Sequence, residues 1–227
     1  MRILHIDCSP RPASHSRQLS KMIVERLLNS GDGSSVVRRD LGVEAIPHTA
    51  AEYAAALSSA AARAMAPGTV MDMSDILIGE IEAAQVVVIG TPMNNFTVPS
   101  VLKAWIDQIV RIGRSFASSP TGKKGLLEDR PVLVGIASGG FFSGERANQP
   151  DFLTPYLSAA LGCVGLKTVQ FLPLQGTAFL DERQAASACA ALVARIDLAA
   201  VSRGGLSQPV PGGPSAGHRS FQEEVRS

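Results

Sequence analysis

Apolar positions in this chain alternate between two spacings. Short continuous runs, Arg2 to Asp7, Ala83 to Ile89, Pro131 to Ile136 and Lys167 to Leu172, read as strands. The unbroken Val86-Val87-Val88-Ile89 suits a strand buried on both faces of a parallel sheet. Val36 to Leu41 is a weaker strand whose two arginines put it at an edge. Between these runs the apolar residues recur at i, i+3, i+4 and i+7. Val98, Val101, Leu102, Trp105, Ile106 and Ile109 form one buried helical stripe, with Pro99 in the first turn and Lys103, Asp107 and Arg111 on another face. Met22, Ile23 and Leu27 give the window from Arg17 to Leu28 a similar stripe. Pro47 to Ala66, rich in alanine, and Met71 to Glu82 are further helical windows. A helix within Asp151 to Gly162 ends at that glycine, and a last one runs from Asp181, a good N-cap, to Ala200. Phe116 to Asp129, with Pro120, Gly122 and Gly125, reads as a loop. His5 reads as a packed strand residue.

In an open α/β sheet, ligands bind in the loops beyond the carboxyl ends of strands. Three such loops are chemically distinctive. After the first strand comes Cys8-Ser9-Pro10-Arg11-Pro12-Ala13-Ser14-His15-Ser16, whose hydroxyls meet a helix N-terminus. Free N–H groups and about half a positive charge from the helix dipole make that an anion site. Ser14 or Ser16 also suits simple helix capping, and the two roles are compatible. Ser9, Ser14 and Ser16 would supply the hydroxyls, with His15 and Arg17 flanking the pocket. After the central strand comes Thr91-Pro92-Met93-Asn94-Asn95-Phe96-Thr97. A Met, two amides and an exposed aromatic can cover a flat heterocycle and hydrogen-bond its edge. A Pro-Asn turn with capping amides and a core-plugging Phe fits the same residues. The fourth strand runs into Ala137-Ser138-Gly139-Gly140, where glycines let backbone N–H groups approach a ligand; a plain tight turn reads the same way.

Composition narrows the partners. The chain has 227 residues, enough for one sizeable core, with 21 basic and 20 acidic side chains and a net charge of +1. No basic stripe carries interleaved aromatics, which argues against nucleic acid. No apolar run approaches the roughly 20 residues that span a bilayer, and His5 and Asp7 interrupt the N-terminal run as no secretory signal would. Cys8, Cys163 and Cys189 are sparse, odd in number and unmatched by histidine spacing, so neither a disulfide framework nor a metal is expected, and a cytoplasmic location is. Cys8 after the first strand resembles a phosphatase nucleophile only superficially. Such a thiolate needs an Arg six positions on to clamp the phosphoryl group, and that position is Ser14. Cys8 therefore reads as a small buried residue. Ser202 to Ser227, rich in Gly, Pro and Ser, reads as a disordered tail behind a domain of residues 1–201.

Four blocks in order carry a family resemblance: the Ser-rich loop, Met93-Asn94-Asn95-Phe96 with the helix after it, Ser138-Gly139-Gly140, and Asp151 to Leu166. Together they resemble the FMN-dependent NADH-azoreductases and NADH:quinone reductases over about Met1 to Ala200. The resemblance implies a flavodoxin-like doubly wound α/β fold, with five parallel strands in the order 2-1-3-4-5. It implies that Ser9, Ser14, His15 and Ser16 hold the FMN phosphate, and that Met93, Asn94, Asn95, Phe96, Ala137, Ser138, Gly139 and Gly140 line the flavin. It further implies two-electron, ping-pong reduction of a quinone or azo acceptor by NADH or NADPH, in a homodimer. Because flavin carries the hydride chemistry, no catalytic acid or base is required of the protein, and none stands out.

Three positions depart from the family pattern. Asn94 replaces an aromatic, Ser118 a tyrosine, and Ala137 a hydroxyl residue. The pocket is thereby less aromatic on its substrate side. A flavodoxin-type electron carrier is the competing reading; such carriers are strongly acidic, and this chain is nearly neutral.

Overall fold

The computed structural model describes residues 1–30 and 33–204. Fifteen regular elements are described: β1 (Arg2–Asp7), α1 (His15–Leu28), β2 (Ser35–Asp40), α2 (Ala51–Ser58), α3 (Ala60–Met65), α4 (Asp72–Ala83), β3 (Val86–Pro92), α5 (Ser100–Ile109), β4 (Phe116–Ser119), β5 (Gly122–Gly125), β6 (Val132–Ala137), α6 (Thr154–Val164), β7 (Val169–Leu174), α7 (Glu182–Ala194) and α8 (Leu198–Ser202). The proposed tail lies outside the described residues from position 205 onward.

The period-2 geometry of β3 splits the core. Val87 and Ile89 meet α4, α5 and α6 on one face, with Leu77, Ile81, Leu102, Trp105 and Leu161. Val86 and Val88 meet α1 and α7 on the other, with Leu19, Ile23, Cys189 and Leu192. Both faces are covered, as a parallel sheet requires. No helix among the described residues is long and apolar enough to cross a membrane.

The sheet has five parallel strands, in the order β2-β1-β3-β6-β7. The expected order 2-1-3-4-5 is not the observed one. The stretch expected to be a loop after α5 pairs with itself as an antiparallel hairpin, β4 with β5, outside the main sheet. Its residues are polar, yet Gly125 packs so closely on the start of the α6–β7 turn that a Cβ there would lie 2.3 Å from the Gly165 nitrogen.

Other boundaries move for local reasons. Helix α1 starts two residues early because Ser14 caps it, accepting from the Arg17 N–H. The alanine-rich window breaks at Ser59, which is extended, into α2 and α3. Helix α6 continues past Gly162 to Val164, and Gly165 ends it with φ 114°, a left-handed conformation suited to glycine. Asp181 closes a capping box with Gln184, but α7 stops at Ala194, and Asp197 caps the separate α8.

Candidate cofactor site

Strands β1, β3 and β6 end side by side, with Asp7 opposite Gly90 and Pro92 opposite Ala137. Beyond those ends lies a cleft of about 350 Å³, lined by Arg11, Ser14, His15, Ser16, Pro92, Met93, Asn94, Ala137, Gly139, Thr177 and Ala178. Seven of the twelve expected residues therefore converge from three separate loops.

At the helix end of the cleft, hydroxyls meet the start of α1. Ser14 and Ser16 hydroxyls lie 3.3 Å apart, and no acidic side chain occupies the first turn of α1. His15 Nδ1 is buried and has no hydrogen-bond partner among the described residues. Arg11, which the sequence reading did not place in the site, lines the same end, and no carboxylate pairs with it among the described residues. Ser9 plays a different part from the one expected. It is buried outside the lining, and its hydroxyl accepts from the Arg11 N–H at 3.3 Å. Arg17 does not flank the cleft either; its guanidinium turns away to Asp40.

The opposite wall is the Met93–Phe96 loop. Asn94 and Thr97 exchange backbone hydrogen bonds at 3.0 Å, closing a tight turn. Asn95 and Phe96 adopt left-handed φ values of 47° and 70°, conformations that non-glycine residues hold only when the surroundings demand them. Neither backbone N–H donates to another group among the described residues, which leaves both available to a ligand. Phe96 is 44% exposed, so it does not plug the core. The amides do not cap α5, whose N-cap position is Pro99 with no side-chain cap.

The third wall needs one correction. Ser138 is buried and fully engaged: its N–H donates to Leu174, its carbonyl accepts from Thr177, and its hydroxyl accepts from Gln149. It supports the wall and offers no free backbone. Gly139 does line the cleft, and a Cβ there would have only Ala178 nearby, at 3.7 Å. Gly140 sits behind it, where a Cβ would reach within 2.7 Å of Gln149 Oε1. Gln149 was not anticipated from sequence. Its Nε2 lies 2.9 Å from Ser138 Oγ and 3.3 Å from Met93 Sδ, tying two walls together.

Burial pushes the Cys8 thiol up, and the neighbouring Asp7 charge pushes it the same way. A thiol kept protonated in the core is no nucleophile. No group of three or more His, Cys, Asp or Glu side chains among the described residues could hold a metal ion.

The five-stranded parallel sheet, with helices on both faces and a cleft beyond its strand ends, defines a protein of flavodoxin-like fold. A family model described as Flavodoxin-like fold matches residues 1–197. The chain is 46% identical over 181 residues to FMN-dependent NADH:quinone oxidoreductase 4 of Pseudomonas fluorescens, covering 79% of this chain and 86% of the relative. It is 44% identical to FMN-dependent NADH:quinone oxidoreductase 5 of Burkholderia lata, covering 78% and 85%. An FMN-dependent NADH-azoreductase of Bacillus anthracis, solved in complex with FMN, superposes with a TM-score of 0.73 at 24% identity, covering 89% of this chain and 98% of that one. This chain belongs to the family of FMN-dependent NADH:quinone oxidoreductases.

Proposed function

We propose that the protein is an FMN-dependent reductase that passes two electrons from NADH to quinones and azo compounds. The carrying observation is the convergence of an anion-binding helix start, a strained donor loop and a glycine-lined wall on one cleft. The residues fit FMN. Ser14, His15, Ser16 and the α1 N-terminus would hold the phosphate, with the Arg11 cation along the same wall. Met93, Asn94, Asn95 and Phe96 would cover the ring and supply N–H donors to its edge, while Ala137 and Gly139 leave a flat slot, with Ser138 and Gly140 behind it. Bound FMN supplies the hydride chemistry, so the chain's own work is to bind, orient and exclude water.

The purified protein should be yellow and should release FMN on denaturation. NADH alone should bleach the bound colour and a quinone should restore it, with ping-pong steady-state kinetics. Release of FAD, or a colourless protein that takes up no FMN, would overturn the assignment. A carrier without its own substrate would consume no NADH with a quinone until a partner protein was added.

The reading extends to a homodimer. The alanine-rich segment carries exposed Ala54, Ala55 and Met65, apolar surface that a second copy would cover. Sedimentation should give twice the chain mass, and a fully active monomer would refute the dimer. Three free cysteines fit a cytoplasmic protein, with residues 1–201 as its catalytic domain. Recovery from a membrane fraction would contradict that location.

A further inference from the structure

The first turn of α1 contains an electrostatic anomaly. Arg17 is its third residue, and a cation there opposes the helix dipole, which favours negative charge at that end. The side chain is nonetheless almost buried, at 10% exposure. It is held by a fork to Asp40 at the end of β2, with Nη1 to Oδ2 at 2.8 Å and Nη2 to Oδ1 at 2.5 Å. Nη1 also lies 3.5 Å from Asp7 Oδ2, and Nε donates to the Ser9 carbonyl at 2.8 Å.

Ser9 opens the loop that forms the anion end of the cleft. Its carbonyl is gripped from a second side. Gly42, two residues past Asp40, lies so close that a Cβ would come within 2.1 Å of that oxygen. The Ser9 hydroxyl then receives the Arg11 N–H, and the Ser14 N–H donates to the Arg11 carbonyl. A chain of hydrogen bonds thus runs from the sheet edge through Arg17 to Ser9, Arg11 and Ser14. Asp40's carboxyl is held below its usual range by the hydrogen bonds from Arg17, which outweigh its burial.

We infer that Arg17 and Asp40 are positioning residues that set cofactor affinity: the edge strand β2, through this pair, fixes the phosphate-side loop in its binding shape. The inference rests on the reading that FMN's phosphate sits at the start of α1. Neither residue lines the cleft, so their effect passes through Ser9. The same strand provides an internal control. Arg39 forms a comparable pair with Glu80, and it makes no bond to the cleft loops.

The test compares FMN with riboflavin, which lacks the phosphate, by fluorescence titration of apoprotein. Wild type, Arg17→Met, Asp40→Asn and Arg39→Met are titrated, with apoprotein melting temperatures measured in parallel. Arg17→Met and Asp40→Asn should each raise the FMN Kd at least tenfold and leave the riboflavin Kd within twofold. Arg39→Met should leave both within twofold at a comparable loss of melting temperature. Should Arg17→Met fail to fold, Asp40→Asn carries the comparison alone. Equal shifts for both ligands, or an unchanged FMN Kd, would overturn the inference, because the pair would then be merely structural. A wild type with no preference for FMN over riboflavin would refute the phosphate assignment and the inference with it. That failure is distinct from variants that keep a preference the wild type shows.

Discussion

Ser16→Asp should weaken FMN binding by about 2–4 kcal/mol, the scale of a buried charge left facing its like. That corresponds to roughly a 30- to 1,000-fold rise in Kd. Ser16 lines the cleft at a buried position, and its hydroxyl lies 3.3 Å from that of Ser14. A carboxylate there stands where the phosphate would bind and removes a donor as well. The fold should survive, because the dipole at the first helical turn favours a carboxylate. Calorimetric titration with FMN and a melting curve of the apoprotein separate the two effects. An FMN Kd within twofold of wild type would reduce Ser16 to a helix-capping residue.

What could be read from sequence divides along a physical line. Local periodicity locates elements whose burial is strong, so Val86 to Ile89 and the Val98 to Ile109 stripe stand out at once. Strand-end loops with unusual composition locate the cleft, because a strand end is where backbone groups lack partners. The hairpin β4–β5 escaped because Ser118, Ser119, Gly122, Lys123 and Lys124 carry no apolar alternation, and its place depends on close packing against Gly165. Gln149 escaped for a related reason. It lies 56 residues from Met93 and 11 from Ser138, and no local pattern announces an amide that bridges them. Arg17 looked like a cleft cation because adjacency in sequence does not show which way a side chain turns. Asp40 decides that, from 23 residues away.

Asp7→Asn should cost about 2–4 kcal/mol of stability at neutral pH, because it unpairs a buried ionic cluster. Asp7 is 1% exposed. One carboxylate oxygen accepts from Ser20 Oγ at 2.9 Å and lies 3.3 Å from His5 Nε2. The other accepts from Arg38 at 2.7 and 3.1 Å and stands 3.5 Å from Arg17. Asp40 continues to compensate both arginines, and Arg38 reaches water, so the loss stays below that of an orphaned buried cation. In a chain of this length the melting temperature should fall on the order of 10 °C. The pH dependence tests the cause. Burial alone would raise the Asp7 carboxyl, but His5, then Arg38 and Ser20, outweigh it and bring it from an ordinary 3.8 to about 2. A depressed carboxylate stabilises the fold fully above its unfolded value and ceases to do so as pH falls through its folded one. The stability gap between wild type and Asp7→Asn should therefore be widest above about pH 5 and should close between roughly pH 4 and pH 2. Chemical denaturation of both proteins across that range measures it. A gap that stayed constant down to pH 2.5 would mean that Asp7 contributes through shape and packing, and that its charge is not what holds the cluster.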